Sequence, residues 1–215
     1  MKSELTGTVL CGANNIFTVR SETPAPAAPG ETYECRIKGK ILKNAEADYN
    51  PLCPGDSVCF LPAPETHGAA RREGVLLSRG ERKNVLLRWN KKGRGAQAIA
   101  ANVDLLVCIA SPVSPPFRPR FLDRLLIAAS LTSIPAALCI NKCGQGTDED
   151  MEERLADYAS RGLPIVRTEL TPPGQENLAS LGELIRGKRV VFAGQSGVGK
   201  TSILNRLAGA KGKVG

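Results

Sequence analysis

The glycine-rich segment at residues 194–201 has the residue types and the spacing of a phosphate-binding loop. It fits the pattern G-x-x-x-x-G-K-[ST] at every fixed position. In such a loop the glycines let the backbone curl so that successive N–H groups point at phosphate oxygens, and the following helix adds its partial positive charge. We expect Lys200 to reach the β- and γ-phosphates and the Thr201 hydroxyl to be a ligand of Mg²⁺. The predicted nucleotide-binding residues of this segment are Gly194, Gln195, Ser196, Gly197, Val198, Gly199, Lys200, Thr201 and Ser202.

A second segment, Asn141, Lys142, Cys143 and Gly144, bears on which base is bound. Guanine-specific P-loop proteins carry Asn-Lys-x-Asp at such a strand end. There the Asn contacts the base, the Lys stem packs along the nucleotide, and the Asp accepts hydrogen bonds from the guanine ring N–H and the exocyclic amine. Gly144 stands at the Asp position, and losing such a buried acceptor costs about 1–3 kcal/mol of selectivity.

We therefore predict a GTP site lined by these four residues, with a P-loop ATPase as an alternative because Gly144 removes the guanine filter. Asp148, in the next loop, is a weaker candidate to supply the missing carboxylate.

From residue 98 onwards, predicted strands alternate with predicted helices. Strands are expected at residues 102–110, 134–140, 163–168 and 189–193, and helices at residues 121–129, 148–161 and 177–185 and from about Gly199. This alternation predicts a mostly parallel sheet with helices on both faces. The base segment precedes the phosphate loop, the reverse of the order in ordinary GTPases, which indicates a circularly permuted G domain.

The N-terminal part has short strands broken by Pro- and Gly-rich turns. Strands are expected at residues 6–10, 16–20, 33–37, 57–61, 74–77 and 84–88. This punctuation is typical of a small β-barrel, which we expect to extend to about Gln97. The chain is thus predicted to hold two domains, residues 1–97 and 98–215.

The net charge of +8 and the pI near 9.3 favour a polyanionic partner such as nucleic acid. Basic residues concentrate in one stretch, and the candidate RNA contacts are Arg71, Arg72, Arg82, Lys83, Arg88, Lys91, Lys92 and Arg94. A solvated surface is the alternative interpretation of such a run. Aromatic residues make up only 4% of the chain, which weakens any prediction based on base stacking.

The seven cysteines are odd in number and form no Cys-x-x-Cys pair, so reduced thiols are expected. No apolar run approaches the roughly 18 residues that span a membrane, and the first residues lack a signal-peptide pattern. These features predict a cytoplasmic protein.

The chain resembles the circularly permuted ribosome small-subunit-dependent GTPase A family, both in the order of its two nucleotide segments and in several matching segments of sequence. The matching segments are residues 72–75, 82–88, 99–104, 116–117, 121–124, 141–142 and 194–202. The resemblance implies an N-terminal OB-fold that contacts ribosomal RNA, followed by a GTPase domain. It also implies a monomer that acts in late maturation of the small ribosomal subunit and whose GTP hydrolysis that subunit stimulates.

The sequence departs from the family after the phosphate loop. Family members continue into switch regions, an Asp-x-x-Gly motif and a zinc-binding Cys/His domain, none of which precedes Gly215. We therefore expect no zinc, predict no catalytic residue, and expect the sheet to be incomplete, with residues 189–193 as an apolar edge strand. A fragment or truncated product with weak GTP turnover is predicted. The rival hypothesis is a non-enzymatic rRNA-binding module with a vestigial nucleotide site.

Overall fold

The computed structural model describes residues 3–22, 30–37, 51–64, 72–90, 95–171 and 178–209. The chain divides into two compact units, one ending at Asn102 and the other beginning at Val103. The boundary predicted from the sequence, between residues 97 and 98, lies slightly earlier in the chain. Within the described ranges, no helix has both the length and the apolar character needed to cross a membrane.

The N-terminal unit contains a closed five-stranded barrel. Its strands are β1 (Leu5–Ala13), β2 (Ile16–Ser21), β3 (Thr32–Ile37), β4 (Ser57–Pro62) and β5 (Arg72–Arg79), in the order β1-β2-β3-β5-β4. All neighbours are antiparallel except β3 and β5. Alternate residues face inward, and the core consists mainly of Leu5, Val9, Phe17, Val19, Tyr33, Cys35, Leu52, Val58, Phe60 and Leu76. A five-stranded closed barrel of this kind is an OB-fold.

The expectation that the barrel continues to about Gln97 is wrong. Strands β6 (Val85–Asn90) and β7 (Gly95–Ala101) pair with each other as a separate antiparallel sheet. The barrel has no free edge for another strand because β4 already pairs with β1. The two-stranded sheet instead packs a small core of its own around Val85, Ala98 and Ala101 with Cys53.

The C-terminal unit alternates strands and helices as predicted. Its elements are β8 (Leu105–Ala110), α1 (Pro119–Leu131), β9 (Ala136–Asn141), α2 (Glu149–Ser160), β10 (Ile165–Thr168), α3 (Leu178–Ile185), β11 (Val190–Gly194) and α4 (Lys200–Ala208). The sheet order is β10-β9-β8-β11, and every pairing is parallel. All six residues of the central strand β8 are buried, as its continuous apolar run requires.

Strand β11 lies at one edge of this sheet order, and its five residues are all partly exposed. The edge strand expected at residues 189–193 is therefore present. Because the strands are parallel, the carboxyl ends of β9, β10 and β11 lie along one edge of the sheet. That edge is where open α/β sheets bind ligands.

All seven cysteines are free thiols, in agreement with the sequence expectation. Burial raises the pKa of Cys35, Cys53 and Cys108 to about 12 and that of Cys139 to about 11. These thiols stay protonated near neutral pH and pack as small apolar side chains.

Candidate functional site

The phosphate loop joins the end of β11 at Gly194 to the start of α4 at Lys200. A side chain at Gly194 would not fit, because its Cβ would lie 2.3 Å from the Ile109 carbonyl oxygen on the neighbouring strand. Gly199 is the N-cap of α4 and has a φ of 94°, a conformation that favours glycine. The glycine positions that define the sequence pattern are thus required by the close packing and the backbone turn.

Lys200 closes the loop on itself. Its Nζ donates hydrogen bonds to the carbonyl oxygens of Gly194, at 2.9 Å, and of Gln195, at 2.6 Å. The first helical bond of α4 runs from the Ile203 N–H to the Gly199 carbonyl, so the N–H groups of residues 200–202 belong to the helix N-terminus. An ammonium group and a helix N-terminus together form a site that favours an anion.

The middle of the loop is anchored from two sides. Val198 is fully buried and its side chain lies in the core of the C-terminal unit. With its amide oriented to satisfy both groups, Gln195 donates to the Pro116 carbonyl at 3.3 Å and accepts from Arg118 Nε at 3.1 Å. Ser196 and Gly197 are exposed at the tip, while Thr201 and Ser202, in the first turn of α4, are half-buried.

Asn141 and Lys142, at the end of β9, hold the phosphate loop. The Asn141 amide is only 2% exposed, and it donates to the Val198 carbonyl oxygen at 2.8 Å. Lys142 adopts the left-handed conformation, and its Nζ donates to the carbonyl oxygens of Gly197 at 2.7 Å and Ser114 at 2.6 Å. The two sequence segments that predict nucleotide binding are therefore in direct contact.

Thr168, at the end of β10, completes this bracing. Its hydroxyl donates to Asn141 Oδ1 at 3.0 Å, and the side chain is buried. Thr168 pairs with Asn141 in the register of the two parallel strands. Motif matching does not identify Thr168, but its place at the carboxyl end of a predicted neighbouring strand is a usable signal.

Gly144 lies in a short 3₁₀ turn, Cys143–Gln145, and contacts a carboxylate from another strand end. Its N–H donates to Glu169 Oε2 at 2.8 Å. The other oxygen, Oε1, accepts from the Thr171 N–H at 3.0 Å and from the Thr171 hydroxyl. Hydrogen bonds from the Thr171 hydroxyl and N–H, together with that from Gly144, lower the pKa of Glu169. Neither Glu169 nor Thr171 is identified by the sequence patterns.

Asp148, the weaker candidate for the missing carboxylate, has a structural role. It is the N-cap of α2, and its side chain accepts a hydrogen bond from the Met151 N–H at 2.8 Å. This is the usual function of an Asp at a helix start whose first turn is acidic.

The predicted RNA-binding residues lie in the N-terminal unit, and Arg71, Lys91, Lys92 and Arg94 fall outside the described residues. Arg72 lies 3.1 Å from a Glu31 oxygen and near the ring of Tyr33. Lys83 and Arg88 are exposed, and Arg88 donates to Gln97 at 2.9 Å. Arg72, Lys83 and Arg88 remain predicted RNA contacts.

Arg82 is the exception within that set, because its side chain is only 10% exposed. Its guanidinium makes two hydrogen bonds to Asp56, at 2.7 and 2.9 Å, and Asp56 is fully buried. A run of basic residues does not reveal such a partner, which lies far away in the sequence. Arg82 therefore neutralises a buried carboxylate within the N-terminal unit, and its contact with RNA stays a prediction.

The low aromatic content of the sequence did not indicate Trp89, on β6, as a candidate RNA contact. This side chain is 66% exposed, beside Arg88 and on the same strand as the exposed Leu87. An exposed aromatic ring next to basic residues is a suitable platform for stacking on a nucleic-acid base.

Comparisons with known proteins agree with this arrangement. The family model for RsgA GTPase matches residues 79–215. The small ribosomal subunit biogenesis GTPase RsgA of Borrelia recurrentis (strain A1) is 34% identical over 197 residues, a match that covers 92% of this chain and 59% of the relative. The chain therefore spans about three-fifths of the length of that curated relative.

Two solved structures are similar over almost the whole chain. YjeQ from Thermotoga maritima has a TM-score of 0.68 and 26% identity, covering 95% of this chain and 65% of that one. YloQ, a circularly permuted GTPase, has a TM-score of 0.63 and 28% identity, covering 94% and 64%. The predicted fold class, an OB-fold barrel followed by a circularly permuted G domain, is confirmed. From the barrel, the permuted order of the nucleotide segments and these matches, the chain belongs to the RsgA GTPase family.

Proposed function

We propose that this chain binds GTP with Mg²⁺ and acts in the maturation of the small ribosomal subunit. The observation that carries the proposal is the contact between the phosphate loop and the base segment, made by Asn141 and Lys142 at one edge of the parallel sheet. The name of the relative from Borrelia recurrentis supplies the ribosomal context. Because the chain spans only part of that relative, the activity of the whole protein is part of the proposal.

The residues present fit a magnesium nucleotide. Lys200 and the N-terminus of α4 offer positive charge and N–H donors to phosphate oxygens, and the Thr201 hydroxyl would be the protein ligand of Mg²⁺. The described residues contain no cluster of three His, Cys, Asp or Glu side chains for a metal ion. A nucleotide-bound Mg²⁺ needs none, because the phosphates and water supply most of its ligands.

The experiment is a calorimetric titration of the 215-residue chain with GTP, GDP and ATP in the presence of Mg²⁺. We expect both guanine nucleotides to bind and ATP to compete only weakly. Preferential ATP binding would instead favour a P-loop ATPase, for which Gly144 is the motivating residue. Absence of any nucleotide binding would favour the rRNA-binding module with a vestigial site.

GTP hydrolysis is part of the proposal, and no catalytic residue is assigned among the described residues. We expect slow GTP turnover by the chain alone, since a strong enzyme needs a group that positions the attacking water. Phosphate release measured with and without purified small ribosomal subunits tests this. Turnover by the isolated chain that matches full-length relatives would contradict it.

The proposed partner is the RNA of the small ribosomal subunit. We propose that the protein binds it as a monomer in the cytoplasm. The net charge of +8 and the exposed Arg88 and Trp89 support this part of the proposal. Trp89→Ala should weaken binding to small subunits about tenfold, the effect of losing one stacked base. Leu10→Ala, at a 39% exposed apolar residue of β1, is the matched control and should have no effect. Sedimentation with purified subunits measures both, and equal binding by the two variants would argue against a role for Trp89.

A further inference from the structure

The space beside Gly144 is already filled by a carboxylate. A Cβ placed on Gly144 would lie 2.8 Å from Glu169 Oε2 and 3.5 Å from its Cδ. The glycine does not adopt a positive φ, so the backbone itself does not require a glycine there. The atom that a side chain at residue 144 would meet is the end of the Glu169 side chain, which approaches from the neighbouring strand end.

Glu169 comes from the right part of the fold to replace an Asp at residue 144. It follows β10 directly, and β10 pairs in parallel with β9 so that Thr168 lies beside Asn141. Glu169 therefore leaves the sheet beside Lys142, at the same edge as the phosphate loop. A carboxylate that is absent from the end of one strand is present at the end of the next.

The Glu169 carboxylate is held in a defined orientation. The N–H groups of Gly144 and Thr171 each donate to a different oxygen, at 2.8 and 3.0 Å. A carboxylate oxygen accepts about two hydrogen bonds, so Oε2 retains capacity for one further donor, whereas Oε1 already accepts two. The additional donor on Oε1 is the hydroxyl of Thr171, an exposed side chain that can rotate to give place to a ligand.

We propose that Glu169 is the residue that selects guanine, accepting hydrogen bonds from the ring N1–H and the 2-amino group in place of the Asp that Gly144 replaces. This inference rests on the proposed binding of GTP. Guanine presents two adjacent N–H donors to a carboxylate, whereas adenine presents a ring nitrogen acceptor and a C–H. A carboxylate at this position therefore favours guanine and disfavours adenine.

A purely structural role for Glu169 makes a different prediction. If it only held the turn at Gly144, then changing it would alter stability or all nucleotide affinities alike. Base selection changes the ratio between nucleotides. Xanthine keeps the N1–H but carries an oxygen where guanine has its amino group, so a glutamine amide, with one acceptor and one donor, matches xanthine better than guanine.

The test measures the affinities of GDP, xanthosine diphosphate and ADP for the 215-residue chain and its variants, with Mg²⁺. The wild-type chain should prefer GDP to both other nucleotides. Glu169→Gln should weaken GDP binding about tenfold to a hundredfold and shift the preference towards xanthosine diphosphate. Thr171→Val, which removes only the competing hydroxyl, is the matched control and should keep the wild-type preference.

A second variant pair guards against misfolding of Glu169→Gln. Gly144→Asp alone should weaken GDP binding, because the new side chain meets the Glu169 carboxylate at close range. Combining it with Glu169→Ala clears the space, and the double variant should bind GDP more tightly than either single variant. A double variant no better than Glu169→Ala would overturn the inference.

Two further outcomes separate this inference from the proposed function. Unchanged nucleotide ratios in a folded Glu169→Gln variant would overturn only the role of Glu169. Equal affinity of the wild-type chain for GDP and ADP would overturn that role and also count against GTP as the bound nucleotide. Failure of the wild-type chain to bind any of the three nucleotides would overturn the proposed function together with it.

Discussion

The two ends of the candidate nucleotide site are built in different ways. The phosphate end is one continuous segment, in which Lys200 bonds the carbonyl oxygens of Gly194 and Gln195 a few residues earlier. The base end gathers side chains from the ends of two strands, Asn141 on β9 and Thr168 and Glu169 at β10. A site formed by contiguous backbone depends on its local sequence. A site formed by side chains from separate strands tolerates the loss of a motif residue, because another strand can supply the group.

The strongest test of the phosphate end is Lys200→Ala. Removing the ammonium takes away the charged donor for phosphate oxygens as well as the two bonds that close the loop. We expect nucleotide affinity to fall by a factor of about 100 or more, equivalent to about 3 kcal/mol. Calorimetry measures the change, and Lys188→Ala, at an exposed lysine that bonds the Leu184 carbonyl, is the control. Unchanged affinity in Lys200→Ala would contradict the assignment of the site.

The junction between the two ends is tested by Gly199→Ala against Gly197→Ala. Both glycines have a positive φ, so both variants carry a strain of about 1–2 kcal/mol. Only at Gly199 would the new Cβ collide with Asn141, 2.4 Å from its Nδ2, whereas at Gly197 the nearest atom is 3.6 Å away. We expect Gly199→Ala to lower the free energy of unfolding by about 1–3 kcal/mol more than Gly197→Ala does.

Urea unfolding followed by far-UV circular dichroism measures these free energies for the C-terminal unit. The unfolding transition of that unit is identified as the one that shifts to higher urea when nucleotide is added. Equal destabilisation by the two alanines would mean that Asn141 does not brace the loop.

The base end alone is tested by Asn141→Ala and Thr168→Val. The first variant removes the hydrogen bonds that Asn141 makes with the Val198 carbonyl and the Thr168 hydroxyl, and should cost about 2 kcal/mol of unfolding free energy. Thr168→Val should cost about 1 kcal/mol. Because the two side chains share a hydrogen bond, the double variant should cost less than the sum of the single variants. Strict additivity in the same urea experiment would show that the two act independently.

The sequence predicted the features that depend on contiguous residues better than those that depend on residues far apart in the chain. The phosphate loop and the apolar strand β8 depend on neighbouring residues, and their patterns predicted them well. Barrel closure is a long-range property, since the pairing of β4 with β1 is what excludes β6. The burial of Arg82 depends likewise on Asp56, and no local charge pattern indicates it.

The base end was only half predictable for a related reason. The pattern Asn-Lys-x-Asp is contiguous, so Gly144 indicated a missing acceptor. The Glu169 carboxylate comes from the next parallel strand, and its distance from Gly144 is determined by the register of β9 and β10. A search at the carboxyl ends of all predicted strands, rather than within one motif, would have included both Thr168 and Glu169.

The smallest expected effect concerns the ion pair between Glu152 of α2 and Arg167 of β10, at the periphery of the base end. Hydrogen bonds from Arg167, and secondarily from Thr147, lower the pKa of Glu152 to about 2. Both partners are 43% exposed, so the pair should contribute only about 0.5 kcal/mol to the free energy of unfolding. Because the folded-state pKa is lowered, that contribution is present above the ordinary carboxyl pKa of about 4.5 and is lost as the pH falls towards 2.

The free energies of unfolding in urea of the wild-type chain and of Glu152→Gln should therefore differ slightly at pH 7 and converge below pH 4.5. Glu153→Gln, at an exposed neighbour, is the control and should show no such pattern. A loss of nucleotide affinity in Glu152→Gln beyond about twofold would show that the base end depends on this peripheral pair. The base end would then be less tolerant of residue changes than the comparison with the phosphate end suggests.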